Sequence, residues 1–532
     1  MISKSLKNVN DIYEEFIKTG KPQDTIMCID EKSITLEEFQ RNVDLFTKHL
    51  IKLGVQTGTV VGYTMPNCQE IFYLFIAISR LGGCAVPLFH MLPDMAKVDI
   101  FKKCKVQFVI TKSQQFANLK ESSDKMGAQY KIATIDESNA FYNFTMPICP
   151  EIEIKDYILA QTDPDLPILM ASSSGTTGIP KSVIMTQSNF ASEIHASYEL
   201  VSPFNINGPD GFSSIMAFPL STAGILTCLG ALFEGVCAIF MTEISPVKFV
   251  QLLAYWKADT MSAPPAFYEA ILTLPTLDNL DLSSIKRVMT GMDFFSPSLW
   301  SRLKAKFTGL NGFANGYGLT ETSNVFMICK SIGEENPTST TLMKLAENIG
   351  NAIEVRDEEG NCVPVGSEGE LYVKGPNVVK GYVGNPEETQ KSFNDGWFKT
   401  GDIVRYEGNN SITLLGRKKY LIKRGGKQIS PIVVQDYINS LPGVKESAVV
   451  GVPHQLYGEM TWAFIVKKEG CDLEIKDIMK HCRSGLVNYM VPDQMSFIEE
   501  IPKNSGVGKV NYEKLKEIAN NELLNITGGS HE

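Results

Sequence analysis

Residues 172–181 read Ser-Ser-Ser-Gly-Thr-Thr-Gly-Ile-Pro-Lys, a hydroxyl- and glycine-rich segment that ends in a lysine. Gly175 and Gly178 permit positive backbone φ angles and let the main chain approach an anion closely. The serine and threonine hydroxyls can donate hydrogen bonds, and Lys181 adds a positive charge. The P-loop of nucleoside triphosphatases is similar but needs glycine where this chain has Pro180, which fixes φ and lacks an N–H group. The segment therefore predicts a polyphosphate-binding loop of another kind, with a plain polar linker as the alternative.

Further motifs follow this segment in order along the chain. They are Tyr317-Gly318-Leu319-Thr320-Glu321, Thr400-Gly401-Asp402, Gly416-Arg417 with Lys418 and Lys419, and Lys509. On these motifs the chain resembles the adenylate-forming superfamily, which contains acyl- and aryl-CoA synthetases, adenylation domains of peptide synthetases and beetle luciferases. The resemblance extends upstream to about residue 34. Because the motifs occur together and in the family's order, they favour a nucleotide site over a linker.

The resemblance implies an enzyme, an acid–thiol ligase that uses ATP, Mg²⁺ and coenzyme A. A carboxylate and MgATP would give acyl-AMP and pyrophosphate, and the thiol of coenzyme A would then displace AMP. Since the carboxylate and the triphosphate are both anions, the site has to neutralise charge and hold the acid oxygen in line with the α-phosphorus. Two alternatives stay open: a freestanding adenylation enzyme that loads a carrier protein, and a non-catalytic relative that senses nucleotide.

The resemblance also implies roles for individual residues. Thr320 would contact the α-phosphate, and Glu321 would bind Mg²⁺ as a hard oxygen ligand. Tyr317 would present its ring to adenine, while Asp402 would accept hydrogen bonds from the ribose hydroxyls. The predicted catalytic residues are Lys509, Thr320 and Glu321. The predicted ATP-binding residues are Ser173, Ser174, Gly175, Thr176, Thr177, Gly178, Lys181, Gly291, Met292, Asp293, Asn315, Gly316, Tyr317, Gly318, Asp402 and Arg417.

The carboxyl-terminal motifs imply a second catalytic arrangement. In the family a late lysine bridges the acid oxygen and the α-phosphate, and Lys509 occupies that place. Counted from Pro502 it stands one residue later than usual, so Lys503 is the alternative. The resemblance places a hinge at Lys419. The predicted thiol-approach loop consists of Lys423, Arg424, Gly425 and Gly426.

The acid is predicted from residues 218–224, Phe-Pro-Leu-Ser-Thr-Ala-Gly. The matching segment holds a gating histidine in many CoA synthetases and an aspartate in peptide-synthetase domains for α-amino acids, but this chain has neither. A substrate ammonium would lose its hydration there without a partner, so we expect an apolar acid, medium-chain fatty or aryl. Asp293 could replace the missing carboxylate, face adenine, or be a turn residue. The predicted acid pocket contains Phe218, Leu220, Ser221, Thr222, Ala223, Gly224, Ala263 and Ala266.

Composition argues against several other classes of protein. The 532 residues carry a net charge of −10 at pH 7, which disfavours nucleic acid or an anionic membrane as the main partner. Eleven cysteines form no Cys-x-x-Cys pair, and the six histidines lack ligand spacing, so we expect no structural zinc. The amino terminus shows no secretion signal. We expect a cytoplasmic monomer or homodimer that acts on a small-molecule carboxylic acid.

The hydrophobic pattern predicts an α/β fold. Thr35 and Glu38 form a capping box before a helix, and short strands then alternate with helices as in an open parallel sheet. The apolar run at 224–241 is interrupted by Glu234-Gly235, which favours a buried helix and strand over a membrane span. We predict a large N-terminal domain at 1–416, with two parallel-type lobes plus a small β-rich segment, and a small mobile C-terminal α+β domain at 417–532.

Overall fold

The computed structural model describes residues 8–138, 140–148, 152–158, 163–173, 181–201, 213–333, 340–347, 349–503 and 510–528. The amino-terminal third contains α1 (Val9–Thr19), β1 (Thr25–Ile29), β2 (Lys32–Thr35), α2 (Leu36–Leu53), β3 (Val60–Tyr63), α3 (Glu70–Arg80), β4 (Cys84–Pro87), α4 (Asp94–Lys103), β5 (Phe108–Thr111), α5 (Ser113–Lys125), β6 (Lys131–Thr134), β7 (Tyr142–Asn143), β8 (Pro167–Ser173), β9 (Lys181–Thr186) and α6 (Gln187–Val201).

The middle of the chain contains β10 (Ser213–Met216), α7 (Thr222–Phe233), β11 (Cys237–Phe240), α8 (Pro246–Trp256), β12 (Thr260–Ser262), α9 (Pro265–Leu272), β13 (Arg287–Gly291), α10 (Pro297–Lys306), β14 (Gly312–Leu319), β15 (Asn324–Ile332), β16 (Leu342–Leu345), β17 (Ala352–Arg356), β18 (Glu368–Lys374), α11 (Pro386–Ser392), β19 (Phe393–Asn394), β20 (Trp397–Gly408) and β21 (Ser411–Arg417). The remainder contains β22 (Ile422–Arg424), β23 (Lys427–Ile429), α12 (Pro431–Asn439), β24 (Val444–His454), β25 (Gly458–Lys467), α13 (Ile475–Gly485), β26 (Gln494–Phe497) and α14 (Tyr512–Gly528).

The first lobe is a sheet with the strand order β7-β6-β5-β3-β4-β8-β9. The pairs from β7 to β8 are parallel, and only β9 runs antiparallel to its neighbour. One half of the predicted capping box of α2 is present, because the Thr35 hydroxyl accepts a hydrogen bond from the Glu38 N–H at 3.2 Å, whereas the Glu38 carboxylate pairs with Lys32. Gly54 ends this helix at a φ of 89°, a conformation that glycine adopts without strain.

The second lobe contains a larger sheet, ordered β17-β18-β20-β21-β16-β15-β14-β13-β12-β10-β11-β1-β2. Its strands from β14 to β1 are parallel, as predicted for the second lobe. The predicted β-rich segment lies in this sheet, because the strands from β15 to β21 continue it in antiparallel pairing. The reason is that β14 pairs with β13 on one side and with β15 on the other.

The apolar run at 224–241 forms the predicted helix and strand. α7 ends before Glu234, Gly235 takes a φ of 85°, and β11 enters the second sheet. Within the described ranges, no helix has both the length and the apolar character that a membrane crossing requires.

The small domain has its own sheet, β23-β22-β25-β24, with β26 beside β25. Ser430 caps α12 and Pro431 takes its first position, as predicted. One face of the sheet packs on α12 and α13 through Val434, Ile438 and Ile478. The other face packs on α14 through Leu515 and Ala519. β21 ends at Arg417 and β22 begins at Ile422; the boundary after residue 416 stays a prediction.

Candidate active site

The candidate site lies at the carboxyl ends of the parallel strands of the second sheet. β10, β12, β13 and β14 are neighbours with the same direction, so their carboxyl ends meet at one edge. Ligands of open α/β sheets bind in the crevice at such an edge. A cleft of about 3240 Å³ lies there, between the large and small domains. The predicted residues that line it are Lys181, Ser221, Ala266, Met292, Asp293, Asn315, Gly316, Tyr317, Gly318, Thr320, Glu321, Asp402, Arg417, Lys419 and Lys423.

A tight turn between β14 and β15 places Thr320 and Glu321 in this cleft. The Thr322 hydroxyl accepts a hydrogen bond from the Leu319 N–H at 2.9 Å and closes the turn. A Cβ atom at Gly318 would lie 1.5 Å from the carbonyl oxygen of Asn324, so only glycine fits where the two strands converge. The family motif therefore has a local steric reason for its glycine.

Three predicted residues meet at one point of the cleft. The Tyr317 hydroxyl donates to Asp402 Oδ2 at 2.5 Å, and Arg417 Nε lies 2.9 Å from Asp402 Oδ1. Arg417 also donates to the carbonyl oxygen of Thr400 at 3.0 Å. Burial and the adjacent carboxylate raise the pKa of Tyr317 well above its ordinary value, so the hydroxyl stays a donor.

The segment that was predicted to contact adenine is held by neighbouring strands. Asn315 is buried, and its amide nitrogen donates to the carbonyl oxygen of Thr340 at 3.0 Å. The amide oxygen is therefore the atom of Asn315 that can serve as an acceptor for an adenine amino group. A Cβ atom at Gly291 would lie 2.8 Å from the Gly316 carbonyl oxygen, so glycine permits the close pairing of β13 and β14.

The charged groups at the phosphate end form a connected set. Lys181 Nζ lies 2.6 Å from Glu388 Oε1 and 5.2 Å from the centre of the Tyr382 ring. The Tyr382 hydroxyl donates to Glu321 Oε1 at 2.9 Å. Burial and the negative charge of Glu321 raise the pKa of Tyr382. The structure thus links the predicted phosphate lysine to the predicted metal ligand through one tyrosine ring.

Tyr382 and Glu388 were not predicted from the sequence. The sequence Asn385-Pro386 is typical of a helix start, and the Asn385 side chain accepts a hydrogen bond from the Glu388 N–H at 3.1 Å. The contact with Lys181 does not depend on this local pattern. It arises because Tyr382 forms an antiparallel bridge with Val183 of β9. The predicted loop residues Ser174, Gly175, Thr176, Thr177 and Gly178 lie outside the described residues. Ser173 is the last described residue before them and pairs with Lys181.

The predicted acid pocket divides into buried and cleft-facing residues. Phe218, Leu220 and Ala263 are buried at the ends of β10 and β12, whereas Ser221 and Ala266 line the cleft. The side chain of Asn67, which was not predicted, donates to the Phe218 carbonyl oxygen at 3.1 Å and accepts from the Leu220 N–H at 2.8 Å.

Two further pocket features concern α7. A Cβ atom at Gly224 would lie 2.0 Å from the Pro219 carbonyl oxygen, so this glycine is required by the turn itself. Leu226, one helical turn from Thr222, lines the cleft. The side chains of Thr222 and Ala223 lie outside the described part of the structure.

The small domain contributes the other wall of the cleft. Lys423 lies on β22, and its N–H donates to Glu459 at 2.6 Å. Arg424 binds Asp493, and Gly425 and Gly426 take φ angles of 55° and 76° in the hairpin between β22 and β23. The predicted thiol-approach loop is therefore a tight hairpin, and its approach to a thiol stays a prediction.

Of the two candidate lysines of the late motif, the structure describes Lys503. Lys503, the alternative, pairs with Glu446 at 3.0 Å. Lys509 lies outside the described residues, although the next residue, Val510, lines the cleft. Asp293 also lines the cleft, and its Oδ1 accepts from the Phe294 N–H at 2.8 Å, so one of its oxygens is used by the local turn.

Comparisons with known proteins identify the family of this chain. Residues 16–383 match the family described as AMP-binding enzyme, and residues 434–509 match the AMP-binding enzyme C-terminal domain. An oxalate–CoA ligase of Arabidopsis thaliana is 27% identical over 470 residues, covering 86% of this chain and 88% of that protein. A long-chain-fatty-acid–CoA ligase of Haemophilus influenzae is 27% identical over 505 residues, covering 89% and 88%.

A solved structure extends the comparison to the fold. The amide bond synthetase McbA from Marinactinospora thermotolerans has a TM-score of 0.83 at 19% identity, with 96% of this chain and 99% of that chain covered. The predicted α/β fold class with a large and a small domain is confirmed. Both named relatives are CoA ligases, and the predicted enzyme class, an acid–thiol ligase, is confirmed as well. The chain belongs to the AMP-binding enzyme family.

Proposed function

We propose that this enzyme activates an apolar carboxylic acid with MgATP and transfers the acyl group to coenzyme A. The observation that carries the proposal is the shared cleft: Thr320 and Glu321, the group formed by Tyr317, Asp402 and Arg417, and Lys181 all face it. Each group suits a different part of ATP. A simple nucleotide sensor would not need a metal ligand and an α-phosphate contact beside an opening for an acid.

The residues present fit a magnesium ion. Glu321 offers a carboxylate and Thr320 a hydroxyl, which are hard oxygen donors of the kind that Mg²⁺ binds. When bound, the ion would neutralise charge on the triphosphate. Tyr382 would orient the Glu321 carboxylate through its 2.9 Å hydrogen bond.

The protein's own residues would then direct two substitutions. An oxygen of the acid attacks the α-phosphorus, the bond to the β-phosphate oxygen breaks, and pyrophosphate leaves with that bonding pair. Lys509 is proposed to stabilise the charge that gathers during this step. In the second step a thiolate attacks the acyl carbon and AMP leaves, while Asp402 and Arg417 keep the ribose in place.

The apolar character of the acid is supported by the cleft wall next to the adenylation centre. Leu226, Pro265 and Ala266 line the cleft there, and α7 begins with small residues. Each buried CH₂ group of a substrate would contribute about 0.8 kcal/mol. Glu269 also lines the cleft but is paired with Arg302, so it is a poor partner for a substrate ammonium.

Acid-dependent exchange of labelled pyrophosphate into ATP tests the adenylation step. We expect exchange with hexanoate, octanoate or benzoate and little with common α-amino acids. A preference for an amino acid would contradict the apolar pocket and point to Asp293 as the ammonium partner. Nucleotide binding without exchange for any acid would favour the sensing relative.

A second assay separates the acceptors. Acyl transfer to free coenzyme A supports the proposal, whereas transfer only to a holo-carrier protein would replace it by the carrier-loading alternative. Lys509→Ala should lower exchange by roughly 10² or more, the scale of one lost transition-state donor, and leave thioester formation from supplied acyl-AMP intact. The matched variant Lys503→Ala should retain exchange; the opposite pattern would assign the role to Lys503.

A further inference from the structure

Glu193 is a fully buried carboxyl group that no sequence motif singles out. It lies on α6 with an exposed fraction of 0%. Burial of an ionisable group costs free energy unless hydrogen bonds compensate, so the hydrogen-bond partners of Glu193 indicate its role. Its Oε1 accepts from the Ser197 hydroxyl and from Asn324 Nδ2, both at 2.8 Å, and its Oε2 accepts from the Val325 N–H at 3.1 Å.

Two of these partners lie directly behind the turn that presents Thr320 and Glu321. The chain reverses there through Ser323 and Asn324, whose φ angles of 56° and 103° are uncommon for residues other than glycine. A residue in such a conformation persists only where its surroundings hold it. Glu193 supplies that support from α6, since it binds the side chain of Asn324 and the backbone of the next residue.

The chemistry of the three partners favours a glutamate over its amide. Burial raises the pKa of Glu193 to about 8. The carboxylate accepts all three hydrogen bonds, and the protonated acid can turn its proton toward the Ser197 oxygen while still accepting from both N–H groups. In glutamine, by contrast, the NH₂ group faces either the Val325 N–H or the Asn324 amide. One donor would then point at another donor.

We propose that Glu193 is a positioning residue for adenylation, which sets the 320–323 turn so that Thr320 and Glu321 face the α-phosphate and its metal. The inference rests on the function proposed above. Glu193 is not among the described residues that line the cleft, so it acts through its hydrogen bonds to Asn324 and Val325. It therefore affects the use of MgATP rather than the choice of acid.

Glu193→Gln tests the inference because the substitution keeps the side-chain shape. We expect kcat/KM for MgATP in pyrophosphate exchange to fall about tenfold, as for a lost hydrogen bond of a charged or buried group. The KM for the acid and thioester formation from supplied acyl-AMP should change little. The matched control is Glu121→Gln on α5, an exposed helix glutamate paired with Lys125, which should leave all these values unchanged.

Asn324→Gly gives a second route if the first variant folds poorly, since glycine tolerates the φ of 103° and removes the amide contact. It should reproduce the MgATP defect. Unchanged MgATP kinetics in both variants would overturn the inference, and so would equal losses in both half-reactions or altered acid selectivity alone. If the wild type shows no exchange with any acid, the proposed function fails. In that case the affinity for MgATP, measured by calorimetry on the wild type and on Glu193→Gln, still tests the positioning role. An equal affinity of the two proteins would contradict it.

Discussion

Tyr382 is the residue that joins Lys181 to Glu321 in the cleft. Its hydroxyl binds Glu321 at 2.9 Å, and its ring faces the Lys181 ammonium at 5.2 Å. A carboxylate that is already oriented loses less conformational freedom when a cation binds. The segment around Tyr382 is itself fixed, because the Val379 N–H donates to the Glu321 carbonyl oxygen at 3.0 Å. Under the proposed function, Tyr382 would thus orient Glu321 before a metal ion binds.

Tyr382→Phe should raise the KM for MgATP about tenfold in pyrophosphate exchange, because it removes one hydrogen bond to a charged group and keeps the ring beside Lys181. Tyr130→Phe is the matched control, since that hydroxyl binds Ser123 in the first lobe, away from the cleft. A lower KM in Tyr382→Phe would instead mean that the hydroxyl competes with the metal for the carboxylate.

At the scale of elements, helices α10 and α12 bring the two domains together. Ser296 caps α10 of the large domain, and its hydroxyl lies beside Asp436 on α12 of the small domain. Burial raises the pKa of Asp436 to about 6, although the Ser296 hydroxyl lowers it. Asp436 Oδ1 is buried without a hydrogen-bond partner among the described residues. The protonated carboxyl therefore fits this contact better than the carboxylate does.

The contact between α10 and α12 should weaken as the pH rises. A pKa that is higher in the docked state means that docking takes up a proton, so docking is strongest below the pKa of the exposed carboxyl and declines as the pH passes 6. Between pH 5.5 and 7.5 the docking equilibrium should fall about fourfold. Hydrogen exchange of α12, corrected for intrinsic rates, measures the change. Asp436→Asn should abolish the pH dependence of docking. If the pH dependence persists in this variant, another titratable group causes it.

At the scale of the whole molecule, contacts on either side of Lys419 belong to different domains. Arg417 binds Asp402 and Lys418 binds Glu370 at 3.0 Å, both on the large domain. Tyr420 stacks on Tyr512 of the small domain with ring centres 4.5 Å apart. The backbone of Lys419 is thus the position that would absorb a rotation of the small domain. These contacts support the hinge that the sequence predicts.

Lys419→Pro should separate the two half-reactions. The hydrogen bonds of the local turn come from the amides of Lys418, Tyr420 and Leu421, so proline at 419 removes none of these while it restricts φ. We expect pyrophosphate exchange to continue and acyl-CoA formation to be lost. Lys419→Ala, which removes the charge and keeps the freedom of φ, should support both activities. Equal loss of both activities in a folded Lys419→Pro enzyme would rule out the hinge.

The sequence by itself determined the local structure and the family. The Thr35 cap, the Ser430-Pro431 helix start and the break at Gly235 are correct because each depends on neighbouring residues. The motifs containing Thr320, Glu321 and Asp402 were identified for the same reason, since each is a short segment of neighbouring residues. Several of the site residues that the family resemblance implied, among them Tyr317, Thr320 and Asp402, line one cleft.

Only the tertiary structure decided which distant groups support these motifs. Glu193 meets Asn324, Glu388 meets Lys181, and Asn67 meets Phe218, in each case across separate elements of the chain. No helical or strand period connects such pairs, because their distance depends on the order of strands in the sheets. The same holds for the β-rich segment: strand patterns predict its strands, whereas the pairing of β15 with β14 decides which sheet they join.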